Sequence, residues 1–208
     1  MPRRKYTLDL NNIINESPAK YYWLGFIAGD GNIAKKEARL RIELKTDDIE
    51  HLKKFNEFMG SNSPLVERVN NVGCHCVCLS INSAELKRYL AQYNLIPAKT
   101  LSFTIPEDKI PKEYLYDFIR GLHDSDGSLS FRNKNYSKPI FQLTTANLEC
   151  ANQIKSILNI DTKIKNVNGA FVVVKEGKGV KPILEKLYKN STEDTRLKRK
   201  YDLWSLIE

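Results

Sequence analysis

Negative charge is scarce in this sequence: 208 residues carry 25 Asp and Glu against 33 Lys and Arg, a net charge of +8 at neutral pH. A basic excess of this size points to a polyanionic partner, of which nucleic acid is the commonest. Long hydrophobic runs are missing too. The longest clean stretch is Trp23 to Gly29, far below the roughly 18 residues of a membrane span, so no membrane role is expected. Met1-Pro2-Arg3-Arg4-Lys5 is followed by Asp, Asn and Glu rather than an apolar stretch. The expectation is therefore a protein that is not secreted and works in the cytoplasm or an organelle. Cysteines number four, too few for a disulfide framework in such a compartment. Cys74, Cys76 and Cys78 alternate with other residues, which on a strand puts them on one face, too extended for a single tetrahedral zinc, with His75 on the other. What remains is an ordinary globular composition, 41% hydrophobic and 28% charged, with room for one large domain or two small ones.

The sequence repeats itself. Residues 22–31 read Tyr-Trp-Leu-Gly-Phe-Ile-Ala-Gly-Asp-Gly and residues 118–127 read Phe-Ile-Arg-Gly-Leu-His-Asp-Ser-Asp-Gly, an offset of 96 residues between Asp30 and Asp126. Leu44 to Glu50 parallels Leu143 to Glu149 at an offset of 99, which implies three extra residues in the second copy, placed in the hairpin around 133–138. Two copies of one unit follow, over residues 1–105 and 106–208.

Each copy reads in the order αββαββα. Ser17-Pro18 is a helix start, and Ile110-Pro111-Lys112-Glu113 opens the matching helix. Asp-Gly ends both helices. Arg39 to Lys45 alternates strictly, a strand with one wet and one buried face. Hairpin turns are expected at 70–73 and at Asn168-Gly169. The fold class is α+β, two pseudo-symmetric copies each with an antiparallel sheet.

Gly25 and Gly29, and likewise Gly121 and Ser125, lie four apart on one helix face. Two helices with so little side chain can approach closely, which brings their C-terminal ends, and Asp30 and Asp126, together. Paired carboxylates repel unless cations sit between them. Hard oxygen ligands favour Mg²⁺, and a paired site suits metal-dependent phosphodiester cleavage. Asp30 with Glu43-Leu44-Lys45 also superficially matches an Asp…Glu-x-Lys metal site, a reading that leaves the second copy unexplained.

Leu24 to Gly31 and Arg120 to Gly127 resemble the two motifs of the LAGLIDADG homing endonucleases in their monomeric, double-motif form. The resemblance covers most of the chain. It implies motif helices packed at a pseudo-twofold, each sheet a curved saddle over double-stranded DNA, and cleavage of both strands of a long, non-palindromic site. It assigns Asp30 and Asp126 as metal ligands, the carbonyls of Gly29 and Ser125 as additional ones, and two or three Mg²⁺ ions shared between the aspartates. It also implies a catalytic basic residue after each copy's last helix: Lys99 in the first, and Lys198 in preference to Lys200 in the second. Arg39, Arg41, Glu43 and Lys45 on one sheet, and Arg132, Gln142 and Thr144 on the other, are the expected DNA contacts, with Arg199 and Lys200 clamping the backbone. Ala28 stands where the family has the motif's first acidic residue, which Asp124 keeps. His123 stands at a normally apolar position and reads as a satisfied interface histidine. Leu44 and Leu143 fall where the family often has a polar water-positioning residue, a role then left to Glu43, Lys45, Gln142 or Thr144. The alternative is a non-cleaving nucleic-acid binder of the same fold, an intron RNA maturase or a transcriptional regulator.

Overall fold

The computed structural model describes residues 6–69, 73–134 and 136–207. Helix α1 (Asn11–Ile14) leads into α2 (Pro18–Asp30), whose start is the expected one: Ser17 caps it, its hydroxyl accepting from the Lys20 amide at 3.1 Å, with Pro18 next. Then follow β1 (Gly31–Ile33), β2 (Arg39–Lys45), α3 (Ile49–Phe58), β3 (Val66–Val69), β4 (His75–Asn82) and α4 (Ala84–Ala91). The second copy runs α5 (Leu115–Asp126), β5 (Gly127–Phe131), β6 (Pro139–Thr145), α6 (Leu148–Ile157), β7 (Lys165–Val167), β8 (Ala170–Glu176) and α7 (Lys181–Tyr188), with α8 (Lys198–Trp204) appended. The αββαββα order holds in both. The expected start of the second motif helix is a 3₁₀ turn (Lys112–Tyr114), and the α-helix begins at Leu115.

Among the described residues the strands form two four-stranded antiparallel sheets of identical order, β1-β2-β4-β3 and β5-β6-β8-β7. The Asn168-Gly169 turn joins β7 to β8 with both residues at positive φ, 51° and 83°, the conformation of a tight hairpin that glycine and asparagine tolerate. Of the other expected turn, at 70–73, residues 70–72 lie outside the described residues, and Gly73 is at φ 82°. No described helix is long and apolar enough to cross a membrane.

Register corrects the repeat alignment. Gly31 pairs with Ile42 and Gly127 with Leu143, so Ile42, not Leu44, is the counterpart of Leu143, an offset of 101 residues. The second copy's first hairpin is therefore five residues longer, counting strand and turn together. The second copy then loses two where the first copy inserts the 3₁₀ turn Thr46–Asp48 before α3. The sequence offset of 99 is the net of the two changes.

The core sits between the helices and one face of each sheet. Leu40, Ile42, Val77, Leu79 and Ile81 point inward from the first, and Leu129, Phe141, Leu143 and Val173 from the second. Helices α2 and α5 cross this core in contact with each other. A Cβ added at Gly25 would lie 2.8 Å from the Phe118 carbonyl carbon, and one at Gly121 would lie 2.7 Å from the Phe26 amide nitrogen. Neither backbone could yield, so only glycine allows this approach.

The segments that follow each copy's last helix change sides. Asn147 donates to the Leu101 carbonyl at 3.0 Å, and Gln153 bonds both the amide and the carbonyl of Ile105. Reciprocally, Arg199 pairs with Asp48 at 3.0 Å, and Lys54 donates to the Glu193 carbonyl. Asp48 and Asn147 stand at the starts of α3 and α6, and Lys54 and Gln153 occupy equivalent positions on them. Each copy's tail thus docks on the same helix of the other.

Candidate active site

Asp30 and Asp126 end the two motif helices and meet where those helices touch. Asp30 is half-buried, whereas Asp126 opens to solvent. A Cβ added at Gly29 would lie 2.9 Å from Asp126 Oδ2 and would collide with the Ser125 side chain, so the Asp126 carboxylate lies against the backbone that leads into Asp30. Desolvation by the surrounding chain, reinforced by Asp126, pushes the Asp30 carboxyl up to about 7, against the pull of Lys200, Lys99 and Arg199. Desolvation raises Asp126 as well, opposed by Lys99 and Lys200. Two carboxyls held in this way favour neutralisation, by protons or by a cation.

The lysines occupy equivalent seats. Lys99 follows Ala98, which is in the left-handed region at φ 59°, and its Nζ donates to the Gly31 carbonyl at 2.6 Å. Lys200 donates to the Gly127 carbonyl at 2.7 Å, and to those of His123 and Asp124 at 2.5 and 2.8 Å. Gly31 and Gly127 each follow a motif aspartate, so the two ammonium groups are related by the same pseudo-twofold. Both are buried, Lys99 7% and Lys200 2% exposed. Burial lowers both, Lys200 to about 8, which leaves it mainly cationic at neutral pH. Asp30 feels Lys200 more strongly than Lys99, and Asp126 feels Lys99 more strongly than Lys200. Each lysine thus acts on both carboxylates from a seat on its own copy's backbone.

Lys198, the expected catalytic residue, is not at this site. Its side chain is 83% exposed and pairs with Asp202 at 2.6 Å. Lys200, expected on the DNA backbone, is spent on buried carbonyls, and Arg199 on Asp48. The phase of α8 decides this: one residue of its first turn faces the motif helices, and it is Lys200.

Asp124 is buried and structural. Its Oδ2 accepts from Tyr22 Oη at 2.9 Å and from the Leu197 amide at 2.8 Å, and Tyr22 Oη also meets His51 Nε2 at 2.8 Å. These bonds join α2, α3, α5 and the entry to α8. Burial raises Asp124 and lowers His51, the latter to about 3. His123 lies against its own sheet rather than the interface between copies, stacked on Phe141 at 4.5 Å. Its Nε2 meets the Ser128 carbonyl at 3.3 Å, and its buried Nδ1 has no partner among the described residues. Sequence reasoning also missed the buried Arg120–Asp117 pair, at 2.7 Å, in which Arg120 additionally holds the Thr195 carbonyl.

The sheet faces turned away from the helices carry the expected polar residues. On the first, Arg39, Arg41, Glu43 and Lys45 alternate with the buried strand positions, and Asn32, Ser80 and Arg68 join them through the register. On the second are Ser128, Ser130, Gln142 and Thr144, with Val172 and Val174. Arg132 lies beyond β5 and pairs with Glu176 at 2.8 Å. The corrected register makes Arg41 the counterpart of Gln142, and Glu43 that of Thr144. These last two are the polar strand residues beside the aspartates, whereas Leu143 is buried. Asp30 and Glu43 share one cleft, and Asp126, Lys99 and Thr144 another. Among the described residues no group of three or more His, Cys, Asp or Glu converges; Cys76 and Cys78 are buried in β4 and Cys74 is exposed. A cation here would have the two aspartates and nearby carbonyls, with water and a substrate oxygen completing its shell, which is the usual habit of Mg²⁺.

A family model described as the WhiA LAGLIDADG-like domain matches residues 19–69 and 115–198. No curated protein matches. Among solved structures, the homing endonuclease I-WcaI bound to its DNA recognition sequence is similar at 17% identity and TM-score 0.60, over 95% of this chain and 88% of that one. I-DmoI in complex with DNA and Ca is similar at 18% identity and TM-score 0.52, over 88% and 93%. The N-terminal LAGLIDADG domain of DUF199/WhiA is similar at 15% identity and TM-score 0.55, over 88% and 89%. At these identities the structures establish the fold, and the family match covers more than half of the sequence. This chain belongs to the LAGLIDADG proteins, in the family of the WhiA LAGLIDADG-like domain.

Proposed function

We propose that the protein binds double-stranded DNA across its two sheets and cuts both strands by Mg²⁺-dependent phosphodiester hydrolysis at a long, non-palindromic site. The observation that carries this reading is the convergence of Asp30 and Asp126 with Lys99 and Lys200 seated symmetrically around them. Holding two carboxyls side by side costs stability, because each disfavours the charge of the other, and a purely structural interface would gain nothing from the arrangement.

Asp30 and Asp126, with the carbonyls of Gly29 and Ser125, would hold the divalent ions. When bound, such ions polarise a phosphoryl oxygen and lower the pKa of water. Lys99 and Lys200 offset the negative charge that develops on the phosphate, each from a seat beside its own copy's aspartate. Their carbonyl bonds fix the ammonium groups before substrate arrives. Glu43 and Thr144 differ at equivalent positions, as do Arg41 and Gln142, so the two halves of the target differ. Two copies in one chain let a monomer address both strands.

The test is cleavage of DNA flanking the reading frame, or of a randomised duplex library, with Mg²⁺. Asp30→Asn and Asp126→Asn should each abolish double-strand cleavage while changing DNA affinity by less than about fivefold, since neither residue lies among the cationic contacts that dominate affinity. Normal cutting by either variant would refute the assignment.

The second reading, a non-cleaving nucleic-acid binder, has the family match in its favour, since that match is to the WhiA LAGLIDADG-like domain. It predicts binding of the same duplexes, or of intron RNA, with no Mg²⁺-dependent product from the unaltered protein.

A further inference from the structure

Beside Asp30 the first sheet carries three linked charges. Glu43 Oε2 accepts from Arg41 Nη2 at 2.9 Å and also from Arg68 Nη2. Register sets this up: Arg41 precedes Glu43 by two residues on β2, and Arg68 on β3 lies opposite Cys76, two residues from Cys78, the partner of Glu43. Asp30, Asn32, Arg41, Glu43 and Arg68 line one open cleft of about 320 Å³. The second copy has no counterpart, since Gln142 and Thr144 replace Arg41 and Glu43.

Two guanidinium groups converge here on one carboxylate oxygen, so the three side chains together carry one positive charge on a partly exposed sheet face. A guanidinium fork fits carboxylate and phosphate alike. A phosphodiester has the same single negative charge and offers two free oxygens, so it can take the place of the carboxylate. We propose that Arg41 and Arg68 form a site for a DNA backbone phosphate next to the Asp30 centre, and that Glu43 fills this site in the free protein as an internal anion that DNA displaces. The proposal rests on the DNA-binding reading. It adds Arg68 to the interface and makes Glu43 a competitor of DNA rather than a contact to it. Because the arginines exchange one anion for another, a randomly placed phosphate gains little. Only a duplex held in place by the rest of the interface displaces Glu43, which favours the target over bulk DNA.

The test is equilibrium binding of a random-sequence duplex, read by fluorescence anisotropy in EDTA across a salt series, so that neither metal nor cleavage enters. Glu43→Gln should bind about tenfold more tightly at low salt, with the slope of log affinity against log salt steeper by roughly one to two, the value for one or two added phosphate contacts. Glu43→Thr, the residue of the equivalent strand position, should do the same and guards against a local folding defect. Arg41→Gln with Arg68→Gln should cancel the gain in the Glu43→Gln background, and on its own should weaken binding, because it leaves the Glu43 carboxylate unpaired on the sheet face that meets DNA. Glu85→Gln on α4 removes the same charge away from the site and should change little. The proposal is overturned if Glu43→Gln binds no more tightly than Glu85→Gln, or if its gain survives loss of both arginines. No binding by the unaltered protein would instead sink the DNA-binding reading itself.

Discussion

Lys99 and Lys200 reach the acidic centre by donating to main-chain carbonyls, and the distinction from an ion pair matters. An ammonium tied to Asp30 or Asp126 would compete with a cation for the carboxylate oxygens. Held on Gly31 and Gly127, it leaves those oxygens available while its charge acts at short range. Lys200→Met keeps the volume but leaves three carbonyls without their donor. Cleavage should fall by a factor of about 10² or more, and stability by about 1–3 kcal/mol, with DNA affinity nearly unchanged. Lys198→Ala, which removes only an exposed pair with Asp202, should leave cleavage and melting temperature as they were. Kinetics and thermal melts of the two variants check this, and equal losses from both would reverse the assignment of Lys200.

At the scale of elements, the contact between α2 and α5 sets the geometry of the site. Gly25 meets the Phe118 backbone and Gly121 meets the Tyr22 backbone, so each helix uses its glycine where the other is closest. Gly121→Ala would force the helices apart along their whole contact and move Asp126 away from Gly29. Overpacking at a site where backbone must give way should cost about 3 kcal/mol or more, read as a drop in denaturant midpoint. Residual metal-dependent cutting should fall even in the fraction that stays folded. The network from His51 through Tyr22 to Asp124 and the Leu197 amide acts at this scale as well. It ties both motif helices to the start of α8, and so holds the helix that carries Lys200.

Across the whole molecule, the exchanged tails tie the two copies together, and burial of the Asp30 carboxyl at its centre, reinforced by Asp126, sets a pH dependence. Asp30 is raised to about 7 in the folded chain. The stability it contributes is therefore fully present below its unfolded value of about 4 and is lost as pH climbs through about 7. His51, lowered to about 3, works the other way: its contribution is present above about 6.5 and is lost as pH falls. The two oppose each other in mild acid, so the signature of Asp30 is clearest above neutrality. Asp30→Asn should be more stable than the unaltered protein at pH 8, by roughly 2 kcal/mol, and the difference should vanish at pH 4. Millimolar Mg²⁺ at pH 8 should stabilise the unaltered protein and not the variant. Melting curves at both pH values, with and without Mg²⁺, decide this, and a constant difference across pH would contradict the raised Asp30 carboxyl.

Local pattern alone determined much of this protein. The repeated Asp-Gly stops, the small residues four apart, the alternation of Arg39 to Lys45 and the Ser17-Pro18 cap are short-range signals. They placed the two copies, the fold class, and Asp30 and Asp126, because helix and strand periodicity need only neighbouring residues. Tertiary structure decided the rest. Which of Lys198, Arg199 and Lys200 turns inward depends on the phase of α8 against the motif helices, and three adjacent basic residues carry no such phase. The five-residue insertion and two-residue deletion partly cancel in a linear alignment, so only the hydrogen-bonded register could match Glu43 with Thr144. The seat of each lysine, on the carbonyl that follows its copy's motif aspartate, joins residues more than 60 apart, and such contacts leave no trace in local pattern.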